Sequence, residues 1–317
     1  MNDKIVLALG GNALIRKGQY GTVYEQFANT RAAVEGILPL LKKGYKLAIT
    51  HGNGPQVGNI MIRTEAALDK AYYIPLGVAV AESQGEIGYM IEQTLQNKLK
   101  QHGINRKIVC ILTQVICDKE DSNIINPSKP IGPFYTKEQV EKIKTKENTE
   151  KMVFIEDSGR GFRRVVPSPI PKDIVEKETI NELVDKGIIP IVCGGGGMPV
   201  YYEKDGCLEG IDGVVDKDRA SALLASQIGA DQLIILTGVE KVCLNFNTPQ
   251  QKPLDKVTVK EAKDYLKQGH FPAGSMGPKI EAAIDFLEKG GKQVIITSID
   301  KLMQAVEGKA GTHIIGK

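Results

Sequence analysis

The chain has no tryptophan, and aromatic residues make up only 5% of its 317 positions. Stacking platforms for single-stranded nucleic acid are built from such rings, so that class of function is disfavoured. Excess charge of one sign is also missing. Forty-one Lys and Arg face 38 Asp and Glu, a net +3 that is too small for a DNA-binding surface. No apolar run approaches the length of a membrane span, so no membrane role is expected. The five cysteines are odd in number and form no C-x-x-C pair. They read as reduced, mostly buried thiols of a cytoplasmic protein. Met1 to Lys4 leads straight into a strand with no leader-like apolar segment, which fits the same expectation. The four histidines lack metal-ligand spacing, no G-x-S-x-G elbow occurs, and the phosphate-loop pattern G-x-x-x-x-G-K-[ST] is absent.

What is present is a rhythm of apolar strands and amphipathic helices. Strands are expected at 4–9, 45–50, 108–112, 188–192, 233–236, 294–297 and 312–315. The all-apolar 108–112 run is expected near the middle of the sheet. Helices are expected at 22–42, 82–101, 173–186, 218–228, 258–267, 278–289 and 299–306. In the first helix Val23, Phe27, Val34, Ile37, Leu38 and Leu41 would share the apolar face, with Gly44 just past its end. Continuous apolar strands separated by helices imply a mainly parallel sheet covered on both faces. The rhythm breaks between about 118 and 167. Four prolines, a charged helix candidate at 136–146 and the basic Arg160, Arg163 and Arg164 mark an excursion from the sheet.

Two of the strands end in glycine and asparagine. The first runs into Gly10-Gly11-Asn12, the second into Thr50-His51-Gly52-Asn53-Gly54-Pro55-Gln56-Val57-Gly58. Glycine lets a backbone approach a ligand closely and turn its amides inward. Two such loops at neighbouring strand ends would cradle an oxyanion, most simply a phosphoryl group. The second loop nearly matches a dinucleotide fingerprint. Its third glycine arrives one residue late, at Gly58, and no acidic residue follows to hold a ribose. His51 reads as structural. Gly194 to Gly197 follows another strand, and its entropic cost is expected to be offset by close approach of a ligand. Three lysines stand in stiff or glycine-rich settings: Lys129 between Pro127 and Pro130, Lys217 between Asp216 and Asp218, and Lys279 after Gly274-Ser275-Met276-Gly277-Pro278. Phosphoryl transfer needs positive charge on the moving group and little covalent help, which lysines can supply.

Together these segments resemble carbamate kinases, within the amino-acid kinase superfamily, over essentially the whole chain. The more specific matches are Lys129-Pro130-Ile131-Gly132-Pro133-Phe134-Tyr135 and the stretch from Glu156 to Pro169; Cys193 to Val200 also matches. The resemblance implies an α/β fold, an open αβα sandwich with a mainly parallel central sheet and a protruding subdomain. It implies a substrate lobe over about 1–212, a nucleotide lobe over about 213–317, and the subdomain at about 118–167. The activity implied is direct in-line phosphoryl transfer between carbamoyl phosphate and ADP, giving ATP and carbamate. Mg²⁺ would be held mainly by the nucleotide phosphates, and the enzyme would be a homodimer. By the same resemblance Gly10, Gly11, Asn12, Gly52 and Asn53 bind substrate. Lys129, Lys217, Asp218 and Lys279 carry catalysis, and Asp216, Thr237, Gly238 and Met276 line the nucleotide site. Gly238 and Phe162 stand where an alanine and a tryptophan are expected, which touches only nucleotide fit and subdomain packing. Two rival readings stay open: a related kinase for another small acyl phosphate, and a non-catalytic nucleotide or carbamoyl-phosphate sensor.

Overall fold

A computed structural model describes residues 3–316 apart from 17, 146–148, 150–151, 157–160 and 273; the side chains of Asn12 and Pro133 also lie outside it. Arg160 of the basic run therefore falls outside the described residues. The centre is an eight-stranded sheet. Its spatial order is Lys256–Thr258, Thr312–Ile315, Gln293–Thr297, Gln232–Leu236, Lys4–Leu9, Lys46–His51, Ile189–Ile191 and Ile108–Cys110. The last six strands named run parallel, and the first two run against them. The sheet is thus mainly parallel, as expected of buried βαβ units.

Side-chain alternation divides the core into two layers. Ile5, Leu7, Leu9, Leu47 and Ile49 face one side and pack on helices Val23–Lys42 and Leu76–Gln101. Val6, Ala8, Ala48, Leu233 and Ile235 face the other and meet helices Lys177–Asp185, Lys217–Gln227, Val259–Lys267 and Gly277–Glu288. Consecutive residues of a strand point to opposite faces, so one apolar run serves both layers. Residues Lys129–Tyr135, Phe162–Val166 and Val153–Glu156 form a separate three-stranded antiparallel sheet, the protruding element. It docks on helix Gly54–Ala66 through Arg164, whose guanidinium donates to Glu65 (3.3 Å) and to Tyr73 (3.2 Å), and both Arg164 and Glu65 are buried.

Several local expectations need correction. Strand Ile108–Cys110 lies at the sheet's edge, not near its middle, and Val109 and Cys110 are only half-buried. An unbroken apolar run suggests two covered faces, but an edge strand backed by a long helix reads the same way. The helix expected from 82 begins at Leu76, where the backbone N–H donates to the Asp212 carboxylate at 2.6 Å. That cap comes from far along the chain and leaves no local signal. Residues 173–186 divide into strand Pro171–Ile174 and helix Lys177–Asp185. Val23 is exposed, while Gln26, Asn29 and Thr30 fill the buried face of that helix. Gly44 does sit just past the helix end, with the positive φ such a stop requires.

Candidate active site

Four adjacent parallel strands deliver their C-terminal ends to one edge of the sheet. Leu9 leads to Gly10 and Gly11, His51 to Gly52 and Asn53, Ile191 to the Cys193–Gly197 loop, and Leu236 to Thr237 and Gly238. The chain order reverses direction between the strands beginning at Lys4 and Gln232. In open α/β sheets ligands bind in the crevice at such a point. The Gly10 and Gly52 loops converge there. A side chain at Gly52 would lie 3.5 Å from the Lys217 stem and 3.8 Å from the Gly11 amide. Asn12 follows in the short 3₁₀ turn Gly11–Ala13. Gly10 is needed for packing, because a Cβ there would fall 2.5 Å from the Leu236 carbonyl oxygen.

Asn53 opens helix Gly54–Ala66 without capping it through its side chain. The first-turn amides therefore stay available to an anion, at the positive end of the helix dipole. The Asn53 side chain is held from behind. Its Nδ2 donates to Ser83 Oγ at 2.8 Å, and it packs on Gly195. This changes the reading of the four-glycine run, because protein atoms occupy the space that side chains would need there. A Cβ would lie 2.5 Å from His51 on Gly194, 2.1 Å from Asn53 on Gly195, 2.3 Å from the Val215 carbonyl on Gly196 and 2.3 Å from Val115 on Gly197. These glycines let the loop pack against His51, Asn53, Val115 and Val215; a close ligand is not what their geometry requires. His51 is buried there, and desolvation lowers its pKa to about 4, against a weaker opposing hydrogen bond to the Gly52 carbonyl. It is neutral and structural at physiological pH.

Three ammonium groups and two carboxylates meet at the start of helix Lys217–Gln227. Lys217 donates to one oxygen of Asp218 at 2.6 Å, and Lys279 donates to the other at 2.9 Å. All three side chains are largely buried, Asp218 most completely, at 6% exposed. Burial pushes the Asp218 carboxyl up, but the charges and hydrogen bonds of Lys217 and Lys279 outweigh it and bring it down to about 2. Asp218 is therefore a fixed anion that holds two cations side by side. Lys217 is steadied from behind, since Ser221 Oγ donates to its carbonyl at 2.7 Å and lies 2.6 Å from Thr50 Oγ1. Lys129, at the root of the protruding sheet, donates to Asp216 Oδ2 at 2.8 Å. The expected nucleotide residue Asp216 is thus the N-cap of the same helix and the partner of Lys129.

Beyond Lys279 lies a cleft of about 200 Å³, lined by Thr237, Val239, Cys243, Phe246, Phe271 and Met276 among others. Its walls are mostly apolar, with Lys241 and Lys279 among them, a composition suited to an aromatic base carrying anionic groups. Thr237 and Met276, which the resemblance assigns to the nucleotide, line this cleft, and Gly238 lies in the loop between Thr237 and Val239. Phe246, Phe271 and the support from Ser83 and Ser221 escape sequence reading. Each is a common residue in an irregular loop or a helix interior with no motif around it. Among the described residues no group of three or more His, Cys, Asp or Glu is placed to hold a metal ion.

Residues 3–298 match the family model described as the amino acid kinase family. The chain belongs to the amino acid kinase family. Within it, several relatives similar to this chain are carbamate kinases. The carbamate kinase of Pyrococcus furiosus is 46% identical over 99% of this chain and all of its own length, and that of Pyrococcus horikoshii is 47% identical over 99% of each. A carbamate kinase from Giardia lamblia, solved bound to AMP-PNP, superposes with a TM-score of 0.93 at 40% identity, covering 100% of this chain and 99% of that one. The αβα sandwich is the fold of this family.

Proposed function

We propose that the chain transfers the phosphoryl group of carbamoyl phosphate to ADP in one in-line step, giving ATP and carbamate. The carbamate then decays to ammonia and carbon dioxide. The observation that carries this reading is Asp218 gripping both Lys217 and Lys279 between the glycine cradle and the apolar cleft. A phosphoryl group passing between the two compartments would spread its charge over these ammoniums. The barrier falls because they are positioned before the reaction begins. Gly10, Gly11, Asn12, Gly52 and Asn53 would hold the carbamoyl phosphate end through backbone amides. Lys129 would cover it from the protruding sheet. Thr237, Gly238 and Met276 would hold the nucleotide, and the substrate and nucleotide lobes would divide near residue 212. Among the described residues no histidine or carboxylate is placed as a nucleophile, since His51 is buried and Asp218 is tied to two lysines. Direct transfer follows.

Mg²⁺ fits this site as a guest of the nucleotide. Both carboxylates present are already engaged, Asp216 by its helix cap and Lys129 and Asp218 by two lysines. Phosphate oxygens are then the hard ligands available to the ion, which would neutralise their charge. A homodimer is supported by the sheet edge at Ile108–Cys110, beyond which no further strand pairs among the described residues, and by the exposed Tyr89 and Leu112 beside it. A reducing, cytoplasmic setting is supported by five free cysteines. No described helix is long and apolar enough to cross a membrane. The test is a coupled assay of ATP formation from ADP with carbamoyl phosphate, acetyl phosphate or an acylglutamate phosphate. Turnover with carbamoyl phosphate alone supports the reading. Preference for another acyl phosphate, or ADP binding with no ATP formed, overturns it.

A further inference from the structure

Asp216 lies at the centre of the cluster but touches neither Lys217 nor Lys279 through its side chain in the way Asp218 does. Its two oxygens are divided. Oδ1 accepts from the backbone N–H groups of Asp218 (3.0 Å) and Arg219 (3.3 Å), which caps the helix that carries Lys217 and Asp218. Oδ2 accepts from Lys129 at 2.8 Å. The carboxylate is mostly buried, at 15% exposed, whereas Lys129 remains 40% exposed. One side chain therefore joins the root of the protruding sheet to the helix end that positions the phosphoryl-binding lysines. A lysine on a half-exposed stem has many rotamers, and fixing it before substrate arrives removes an entropic cost from binding.

We propose that Asp216 is a positioning residue whose charge holds the Lys129 ammonium over the carbamoyl phosphate site while its other oxygen sets the start of the Lys217 helix. The proposal rests on the kinase reading above. It departs from the expectation that Asp216 serves the nucleotide, because its Oδ2 contact leads to Lys129 on the protruding sheet. An ammonium has three donors, so Lys129 can keep Asp216 and still give hydrogen bonds to a bound anion.

The two duties separate by substitution. Asparagine and serine both cap helices well, but neither carries the charge that holds Lys129. Asp216→Asn and Asp216→Ser should therefore leave Tm close to that of the parent chain and raise KM for carbamoyl phosphate roughly tenfold, the scale of one charge-assisted hydrogen bond. KM for ADP should move less than twofold by the same argument. In a Lys129→Ala background the Asp216→Asn change should add almost nothing, because its partner is gone. A second readout needs no turnover. Competitive acetylation of the substrate-free protein, followed by mass spectrometry, should label Lys129 several-fold faster in Asp216→Asn than in the parent.

An unchanged or lowered KM for carbamoyl phosphate, a rise confined to ADP, full additivity with Lys129→Ala, or equal labelling of Lys129 would each overturn the proposal. If the parent chain forms no ATP from carbamoyl phosphate, it is the kinase reading that fails, and the labelling comparison still decides whether Asp216 tethers Lys129.

Discussion

Replacing Asp218 by asparagine removes one negative charge with almost no change in shape. In the parent structure that carboxylate accepts from Lys217 at 2.6 Å and from Lys279 at 2.9 Å. Without it, two largely buried ammonium groups face each other across an amide that can accept through only one atom. At roughly 5 Å apart and an effective dielectric of about 20, their repulsion is about 3 kcal/mol. One lysine must then swing away or give up its proton. Either outcome removes positive charge from the migrating phosphoryl group, and a deficit of that size corresponds to a loss of kcat on the order of a hundredfold. The assay is ATP formation at saturating ADP and carbamoyl phosphate. A kcat within a few-fold of the parent would refute the idea that Asp218 holds the two charges in place.

Lys129→Ala should raise KM for carbamoyl phosphate more than KM for ADP in initial-rate measurements, and a defect confined to ADP would contradict the assignment of Lys129 to carbamoyl phosphate. His51 has a pKa near 4 when folded against an ordinary value of 6.5, so the unfolded chain binds the extra proton in that window. Stability should therefore fall as pH drops from 6.5 towards 4, by up to about 3 kcal/mol, and thermal unfolding of His51→Gln should show a flatter dependence over the same range. Gly195→Ala places a Cβ 2.1 Å from Asn53 at a residue with φ of +65°. It should cost about 2 kcal/mol of stability and lower turnover together with Tm, since the displaced side chain is the Asn53 proposed to bind substrate.

Much of this was readable from the residues, and the exceptions share a cause. The strands ending at Leu9, His51, Ile191 and Leu236 are continuous apolar runs in a doubly covered sheet, so their ends and the glycines that follow stand out. The small sheet containing Gln114–Cys117, Met198–Tyr202 and Leu208–Gly210 left no comparable trace. Its strands are short, partly exposed and interrupted by proline and glycine, so neither period nor composition marks them. Within the site, the glycine loops announce themselves locally, but Lys217 and Lys279 are 62 positions apart and meet only through Asp218. Their pairing followed from family resemblance and not from any spacing. The four glycines after Cys193 show the opposite failure. Glycine signals close approach but does not say to what, and here the neighbours are His51, Asn53, Val115 and Val215.

The most direct test of the account is kcat for ATP formation in Lys217→Ala and Lys279→Ala, each measured beside the parent chain at saturating substrates. Each substitution removes one preorganised charge from the transferring group, so each should lower kcat by at least about a hundredfold while leaving the fold intact by circular dichroism. Near-parental turnover in either variant would contradict the claim that this pair of ammonium groups, held by Asp218, carries the phosphoryl transfer.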